Sequence, residues 1–537
     1  MTCTFEGCTN NKFAPHEECA LHCIKSNYQD DRLKGVLSEF YDLLKIYIAD
    51  LIDSKPLTSS PNLQSVLNSS PKPFVLGSNI NIGEKIREGD LNDIELRDLI
   101  RKSNKSNEIT ISDIYFPYRD NRDDFDYFKL LNLFSSAHLI YCHLYIDNWQ
   151  LDDVAIFFDD CIFYNSFDIT PIQMFRKVTN CLFAECEFKS AVRVSPIEMN
   201  SIFEDSLFSG CDFKNSLRLE NSVFKKEPFL DVDVDERELK LSTLEVYDCN
   251  FDGGFKLNSV HISYLWIENT NFLVGFWMLK ANITTLNCIN VVIDGMFDAS
   301  NSSFVRAKFT RTKFLDVADF EEVKFGKADG EFLESDEHTN QFKYVTFVNA
   351  SNFKNTSFFY SLDFENVDLR EQPNFLKSYI NSYNTNRETF RIIKYSFDSR
   401  GNTLEANRFF VQEMKAFKNE LKEEGNFWDK LVYNVNDLIS EFGRNYIRAI
   451  TWLIISLISY TILLYLHDWY FDNFDYFIWK KLEWIWIFLN DIAKNFLPFS
   501  RFLGSKSGFE FISLLFYIWF GILIWQIVVS VKRHTQR

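Results

Sequence analysis

Ser302–Phe325, SSFVRAKFTRTKFLDVADFEEVKF, carries the pattern on which the fold turns. Its phenylalanines Phe304, Phe309 and Phe314 stand five apart, and after a one-residue slip Phe320 and Phe325 do so again. Two positions before each Phe sits a small or short side chain: Ser302, Ala307, Thr312, Ala318 and Val323. The same phase recurs at Phe183 and Phe188, at Phe203, Phe208 and Phe213, and at Phe353 and Phe358. A period of five suits neither a 3.6-residue helix nor a simple alternating strand. It suits a coil of short flat faces, each turning a corner after five residues. The Phe and the small residue before it point inward, and the other three face water. Stacked coils would then bury a continuous phenylalanine ladder. That reading accounts for the 56 phenylalanines of a 537-residue chain. Five of the cysteines, Cys161, Cys181, Cys186, Cys211 and Cys249, occupy the small slot.

These five-residue units resemble the repeats of the pentapeptide-repeat family, whose pattern is Ala-(Asp/Asn)-(Leu/Phe)-x-x. The resemblance implies a mainly β chain built as a right-handed quadrilateral β-helix, over residues 151–370. It is strong in the runs quoted and weakens between 224 and 300, where insertions such as KKEPFLDVDVDERELK interrupt the phase. Residues 74–150, a mixture of short apolar runs and charged turns, are expected to form the N-terminal cap of the repeat body.

Outside the repeats the periodicity becomes helical. Leu33, Val36, Leu37, Phe40, Leu44, Tyr47, Ile48 and Leu51 predict an amphipathic helix within 25–53, packed on its own body. Residues 54–73, rich in Ser, Pro and Asn, read as a linker. Within 371–425, Phe390, Ile393 and Phe397, then Gly401, then Leu404, Phe410, Met414, Phe417 and Leu421 predict a helical hairpin, expected to cap the β-helix.

Residues 426–537 are expected to form a membrane domain. Ala449–Leu466 and Phe511–Val531 carry no charged side chain and are long enough to cross a bilayer. Arg444 and Arg448 precede the first stretch, and Lys532, Arg533 and Arg537 follow the second. Both termini are therefore expected on the cytoplasmic side, here of a bacterial inner membrane. The stretch between the spans holds Trp469, Trp479, Trp484 and Trp486, a composition suited to the interface. Membrane lipid is one expected partner, a protein is another, and self-association into a homo-oligomer is a third.

The formal charge is −18 and lies almost wholly before Asn426, where 46 basic residues face 66 acidic ones. An acidic body disfavours direct nucleic-acid binding, which requires neutralised phosphates. Some members of the family mimic DNA, a role the charge allows and the membrane spans disfavour.

The best-defined site is Cys3, Cys8, Cys19 and His22, spaced C-x4-C-x10-C-x2-H in the knob 1–24. Two pairs of soft ligands on turns are what a tetrahedral zinc site needs, and four protein ligands imply a structural role. The surrounding residues resemble a short Cys3His zinc motif of bacterial proteins; Cys23 is the alternative to His22. The absence of a secretory signal before it implies reduced thiols.

Other motifs fall short. Asp231, Asp233 and Asp235 mimic a calcium loop, but Glu236 and Ser242 stand where glycine and a bidentate glutamate belong. Gly504–Ser507 lacks a phosphate-binding loop, and His138, Cys142 and His143 read as structural. No catalytic fingerprint is present, and the expected function is that of a membrane-tethered scaffold, with an oligomeric channel or effector as the alternative.

Overall fold

The computed structural model describes residues 2–25, 30–54, 84, 86–87, 108–118, 127–131, 133–134, 136–147, 155–169, 181–195, 201–230, 239–327, 340–364, 366–383, 385–424, 426–473, 488 and 509–535. The linker, the acidic run 231–236, the aromatic residues Trp479, Trp484 and Trp486, and Gly504–Ser507 lie outside them. The chain divides into two compact units, Met1–Tyr360 with Asn366–Ile380, and Ser361–Glu365 with Asn381–Arg537.

The first unit is a β-solenoid. Its described strands form four parallel sheets of six, sixteen, eight and five strands, each built by adding the matching strand of the next coil. Phe251, Phe272, Ile293 and Phe314 are consecutive register partners, so one coil takes 21 residues. Four pentapeptides account for 20, and the extra residue produces the one-residue slip between Phe314 and Phe320. Corners recur with the same period. Asp248, Asn269, Asn290 and Arg311 have φ of +51° to +54°, and Ser259, Lys280, Asn301 and Glu322 in a second column have φ of +54° to +62°. Asn and Asp tolerate this left-handed conformation better than other non-glycine residues, which explains their frequency at the corners.

Inside, like packs on like. Phe314 stacks on Phe347 at 4.9 Å, Phe320 on Phe353 at 4.8 Å and Phe325 on Phe358 at 4.7 Å, with ring planes within 6° of parallel. These distances equal the spacing between hydrogen-bonded strands, so backbone register and ring stacking reinforce each other. The small slots are also inward, and several of their polar side chains donate to backbone carbonyls, whereas the buried Ser351 hydroxyl finds no partner among the described residues. Thr356 donates to the Phe320 carbonyl at 2.7 Å and Thr312 to that of Cys288 at 3.3 Å. Cys142, Cys161, Cys186 and Cys211 stack through four coils in one column. Cys161 and Cys211 donate their S–H to carbonyls of the coil beneath, at 3.3 and 3.4 Å. A thiol fills the narrow slot and carries its own donor, so no buried polar group is stranded there.

Two boundaries differ from expectation. Glu108–Ser112 pairs in parallel with Ser136–Ile140, which pairs in turn with Ala155–Asp159, so the solenoid includes residues assigned above to an N-terminal cap. Ile109, Ile111, Ala137 and Leu139 fill the inward positions there without a phenylalanine to mark them. The stretch 224–300, expected to lose phase, holds the most regular coils. Lys240–Tyr247, His261–Glu268, Asn282–Ile289 and Ser303–Thr310 are eight-residue strands starting 21 residues apart. Leu244, Leu265, Leu286 and Ala307 share one inward position, and aliphatic filling hides a period that phenylalanine makes visible.

Helix α1 (Asp30–Ser54) belongs to the same unit and packs on it. Its stripe Val36, Leu37, Phe40, Leu44 and Ile48 is buried, with Phe40 against Phe116 and Tyr127 at 5.8 and 5.4 Å between ring centres.

The second unit is helical. Helices α2 (Arg387–Asp398) and α3 (Thr403–Glu424) form the expected hairpin, and Asn386 caps α2 by accepting from the Thr389 amide at 2.8 Å. Helix α4 (Phe427–Ser440) was not anticipated as a separate element. Its signals were legible: Asn426 as N-cap, and an apolar stripe of Phe427, Trp428, Leu431, Val432, Val435, Leu438 and Ile439. Glu441, Phe442 and Gly443 all take positive φ and turn the chain into α5 (Tyr446–Asn473). Helix α6 (Glu510–Thr535) packs on α4 and α5 around Ile439, Ala449, Phe520 and Leu523.

Tyr446–His467 and Glu510–Thr535 are long and apolar enough to cross a membrane, and only 11% and 22% of their most apolar windows are buried within the protein. Ile454, Ile458, Ile462, Ile518, Ile524 and Val528 are each about half exposed, unlike residues of a soluble core helix. Their polar side chains turn toward each other: Tyr460 donates to Ser513 at 3.0 Å and Trp519 to Ser456 at 2.9 Å. Gln526 accepts from the Ser440 hydroxyl at 2.8 Å and donates to Asn436 at 2.7 Å. That pairing explains the one strongly polar side chain deep in the second stretch.

Candidate metal centre

The N-terminal residues form two turns that face each other. In the first, the Cys3 amide donates to the Asn10 carbonyl at 2.8 Å, and the Cys8 amide to that of Phe5 at 3.1 Å, with Gly7 at φ +80°. In the second, the amides of His22 and Cys23 both donate to the Cys19 carbonyl, a single helical turn that sets Cys19 and His22 on one side. The spacing x4 in one pair and x2 in the other follows from these two turn types.

The four predicted side chains converge. One donor atom from each of Cys3, Cys8, Cys19 and His22 lies within 4.8 Å of every other, and this group could hold a metal ion. Cys8 Sγ is 3.8 Å from Cys19 Sγ, and His22 Nδ1 is 3.8 Å from Cys3 Sγ and 3.3 Å from Cys19 Sγ. Phe5 stacks on the His22 ring at 4.1 Å between centres and holds its orientation. Cys23 is buried apart from the group, its sulfur facing the Ala20 carbonyl at 4.0 Å. His22, not Cys23, is therefore the fourth member.

Electrostatics favour a neutral imidazole there. Burial, and then the charge of Lys25, pull His22 down to about 4. Burial and the neighbouring Cys19 sulfur push the Cys8 thiol up to about 12, against the lowering pull of the Asn10 amide. Cys3 is buried too, but the amides of Phe5 and Cys19 outweigh that and lower it. The Cys19 amide reaches Cys3 Sγ at 3.1 Å, the hydrogen bond a thiolate ligand favours. Lys25 lies beneath, buried, donating to the Cys23 carbonyl at 2.8 Å under the rings of Phe40 and Tyr115.

The remaining candidates do not converge. Cys142 faces the core, whereas His143 lies on the outside, stacked on Tyr115 at 3.9 Å and bonded to the Tyr164 hydroxyl at 2.9 Å. His138 approaches Asp159 at 3.9 Å on another strand. The ten cysteines whose side chains are described are free thiols.

No protein-family model, no curated protein and no solved structure matches the chain. The class defined by fold and site is a parallel β-solenoid with stacked phenylalanine ladders, a Cys3His cluster at its N-terminus and two membrane-length helices after it.

Proposed function

We propose that this protein is a membrane-tethered scaffold of pentapeptide-repeat type, presenting an acidic solenoid to a protein partner at the cytoplasmic face of a bacterial inner membrane. The observation that carries this reading is the open apolar surface of α5 and α6, which only hydrocarbon would cover without cost. Arg444 and Arg448 before the first span and Lys532 and Arg533 after the second flank the two spans, which supports cytoplasmic termini. In this reading the solenoid works through its outward rows, where some Lys side chains pair with Asp or Glu of a neighbouring coil. Lys354 meets Glu321 at 2.6 Å, and Lys225 meets Asp252 at 2.5 Å.

The metal is zinc, held as a structural clamp by Cys3, Cys8, Cys19 and His22. With Zn–S near 2.3 Å and Zn–N near 2.0 Å, a tetrahedron has S···S edges of about 3.8 Å and S···N edges of about 3.5 Å. The observed 3.8, 3.8 and 3.3 Å fit those edges. Bound zinc supplies a cross-link between the two turns, and its own charge replaces their proton competition. Purified full-length protein should contain about one zinc per chain, and Cys19→Ser should reduce this to near zero. Retention of the metal by that variant would exclude the assignment.

The scaffold reading is tested by the mass of the detergent-solubilised chain together with ion flux in liposomes. A monomer or dimer without flux supports it. A ring of four or more subunits that conducts ions would replace it with the channel reading. The internal pairing of Tyr460, Ser513, Trp519, Ser456 and Gln526 favours the scaffold, because it leaves few polar groups to line a pore.

A further inference from the structure

Helix α3, the turn after α4 and the last turn of α6 enclose a cleft of about 280 Å³. Arg408 on α3, Arg444 just past the turn, and Arg533 and His534 at the end of α6 all line it. Glu405 is the one carboxylate in its lining, and it is engaged by Arg408 at 3.3 Å. Three guanidinium groups and an imidazole thus face the cleft against one acid. Arg444 is exposed and makes no ion pair among the described residues.

Arg533 is built in with care for a side chain that has no acidic partner among the described residues. Its guanidinium lies 4.4 Å from the Phe410 ring centre and donates to the Phe442 carbonyl. Asn407 donates to the Arg533 carbonyl at 3.0 Å and fixes the end of α6 against α3. Gly443 makes the approach possible: its φ is +83°, and a Cβ there would meet the Arg533 guanidinium at 2.9 Å. The backbone is thereby shaped around a cation whose outer face points into an open, positively charged cleft.

We propose that this cleft binds the phosphate of an anionic phospholipid headgroup. Arginine forks match phosphate oxygens in bidentate geometry. A volume just under the usual range of small-molecule sites, about 300–1,000 Å³, accommodates a headgroup rather than a whole lipid. Basic pockets at the cytoplasmic ends of membrane helices are where such headgroups are found. The inference rests on α5 and α6 spanning a bilayer. A soluble phosphate offers the same chemistry, and the experiment separates the two sources.

Full-length protein in detergent is mixed with equal mole fractions of phosphatidylglycerol and phosphatidylcholine, and retained lipid is measured by native mass spectrometry. Phosphatidylglycerol should be retained in preference, and each of Arg408→Gln and Arg444→Gln should reduce that preference about fivefold. Both side chains are exposed, so the fold should survive, as an unchanged melting temperature would verify. Equal retention of the two lipids, or a preference unaltered by both substitutions, overturns the proposal. Inorganic phosphate raising the melting temperature of the wild type as much as phosphatidylglycerol does, but not that of the double variant, overturns the lipid as ligand. Alkaline carbonate washing of membranes is run in parallel. Release of the protein by carbonate would defeat the membrane reading itself, whereas retention with no lipid preference defeats only this inference.

Discussion

The coils beginning at Lys240, His261 and Asn282 and the coils that follow from Ser303 share one backbone and fill it differently. In the first group one inward column holds Val246, Ile267 and Cys288 and another Leu257, Met278 and Ala299, where the second group places Phe309 and Phe320; Phe251, Phe272 and Phe314 share a further column. The parallel pairing and the left-handed corners persist between them, although the eight-residue strand gives way to Lys324–Phe325 and Asn340–Lys343. The coil geometry is therefore set by the interstrand ladder and the corner conformation. The inward side chains need only be apolar and of the volume the neighbouring coil leaves.

The most severe test of that view is a backbone clash within the first group. A Cβ on Gly295 would lie 1.7 Å from the Val274 carbonyl oxygen, a contact no rotamer can relieve. Gly295→Ala should remove more than about 4 kcal/mol of local stability, read as lost amide protection in its own and the adjoining coil. Protection like that of wild type would show that the coils are not held in close register.

Next in size is the loss of a ring from the second group. Phe320 is fully buried and stacks on Phe353 at 4.8 Å while touching Phe297, Phe309 and Phe314. Phe320→Ala should cost about 3–4 kcal/mol in the same exchange measurement. A smaller intermediate effect is expected where the groups meet. Ile293 lies between Phe272 and Phe314 in one column, and Ile293→Phe should destabilise by about 1–3 kcal/mol through overpacking. Stabilisation instead would mean that ring stacking, not coil volume, decides the filling.

The smallest effect concerns the corners common to both groups. Asn290 sits at φ +54° and donates to Asn269 at 2.8 Å across the corner column. Asn290→Ala should cost about 1 kcal/mol, from left-handed strain and the lost side-chain bond together. No change would assign the abundance of Asn at corners to something other than backbone conformation.

Phenylalanine made the coils of 183–213 and 302–358 legible because one bulky residue at a fixed interval has no other simple explanation. The coils of 108–147 and 240–300 were hidden because Ile, Leu, Val and Ala fill many of their inward positions and occupy strands, helices and loops alike, and a 21-residue turn shifts a five-residue phase once per coil. At the candidate metal centre the ligand types and spacing were readable, since each spacing belongs to one kind of turn. The choice of His22 over Cys23 was not, because both follow Cys19 within a single helical turn and differ only in which way the chain then faces.

What the residue order determined unaided, then, was local and periodic: the inward slot, the amphipathic stripes, the two uncharged membrane-length stretches and the Cys3His quartet. Each depends on intervals of a few residues. Tertiary structure alone decided what lies many residues apart. It stacked the cysteines of four coils in one column, bound Gln526 to Ser440 and Asn436, and brought Arg408, Arg444 and Arg533 to one cleft. Those meetings are set by how whole elements pack, and packing depends on volumes and backbone angles that no short interval of sequence encodes.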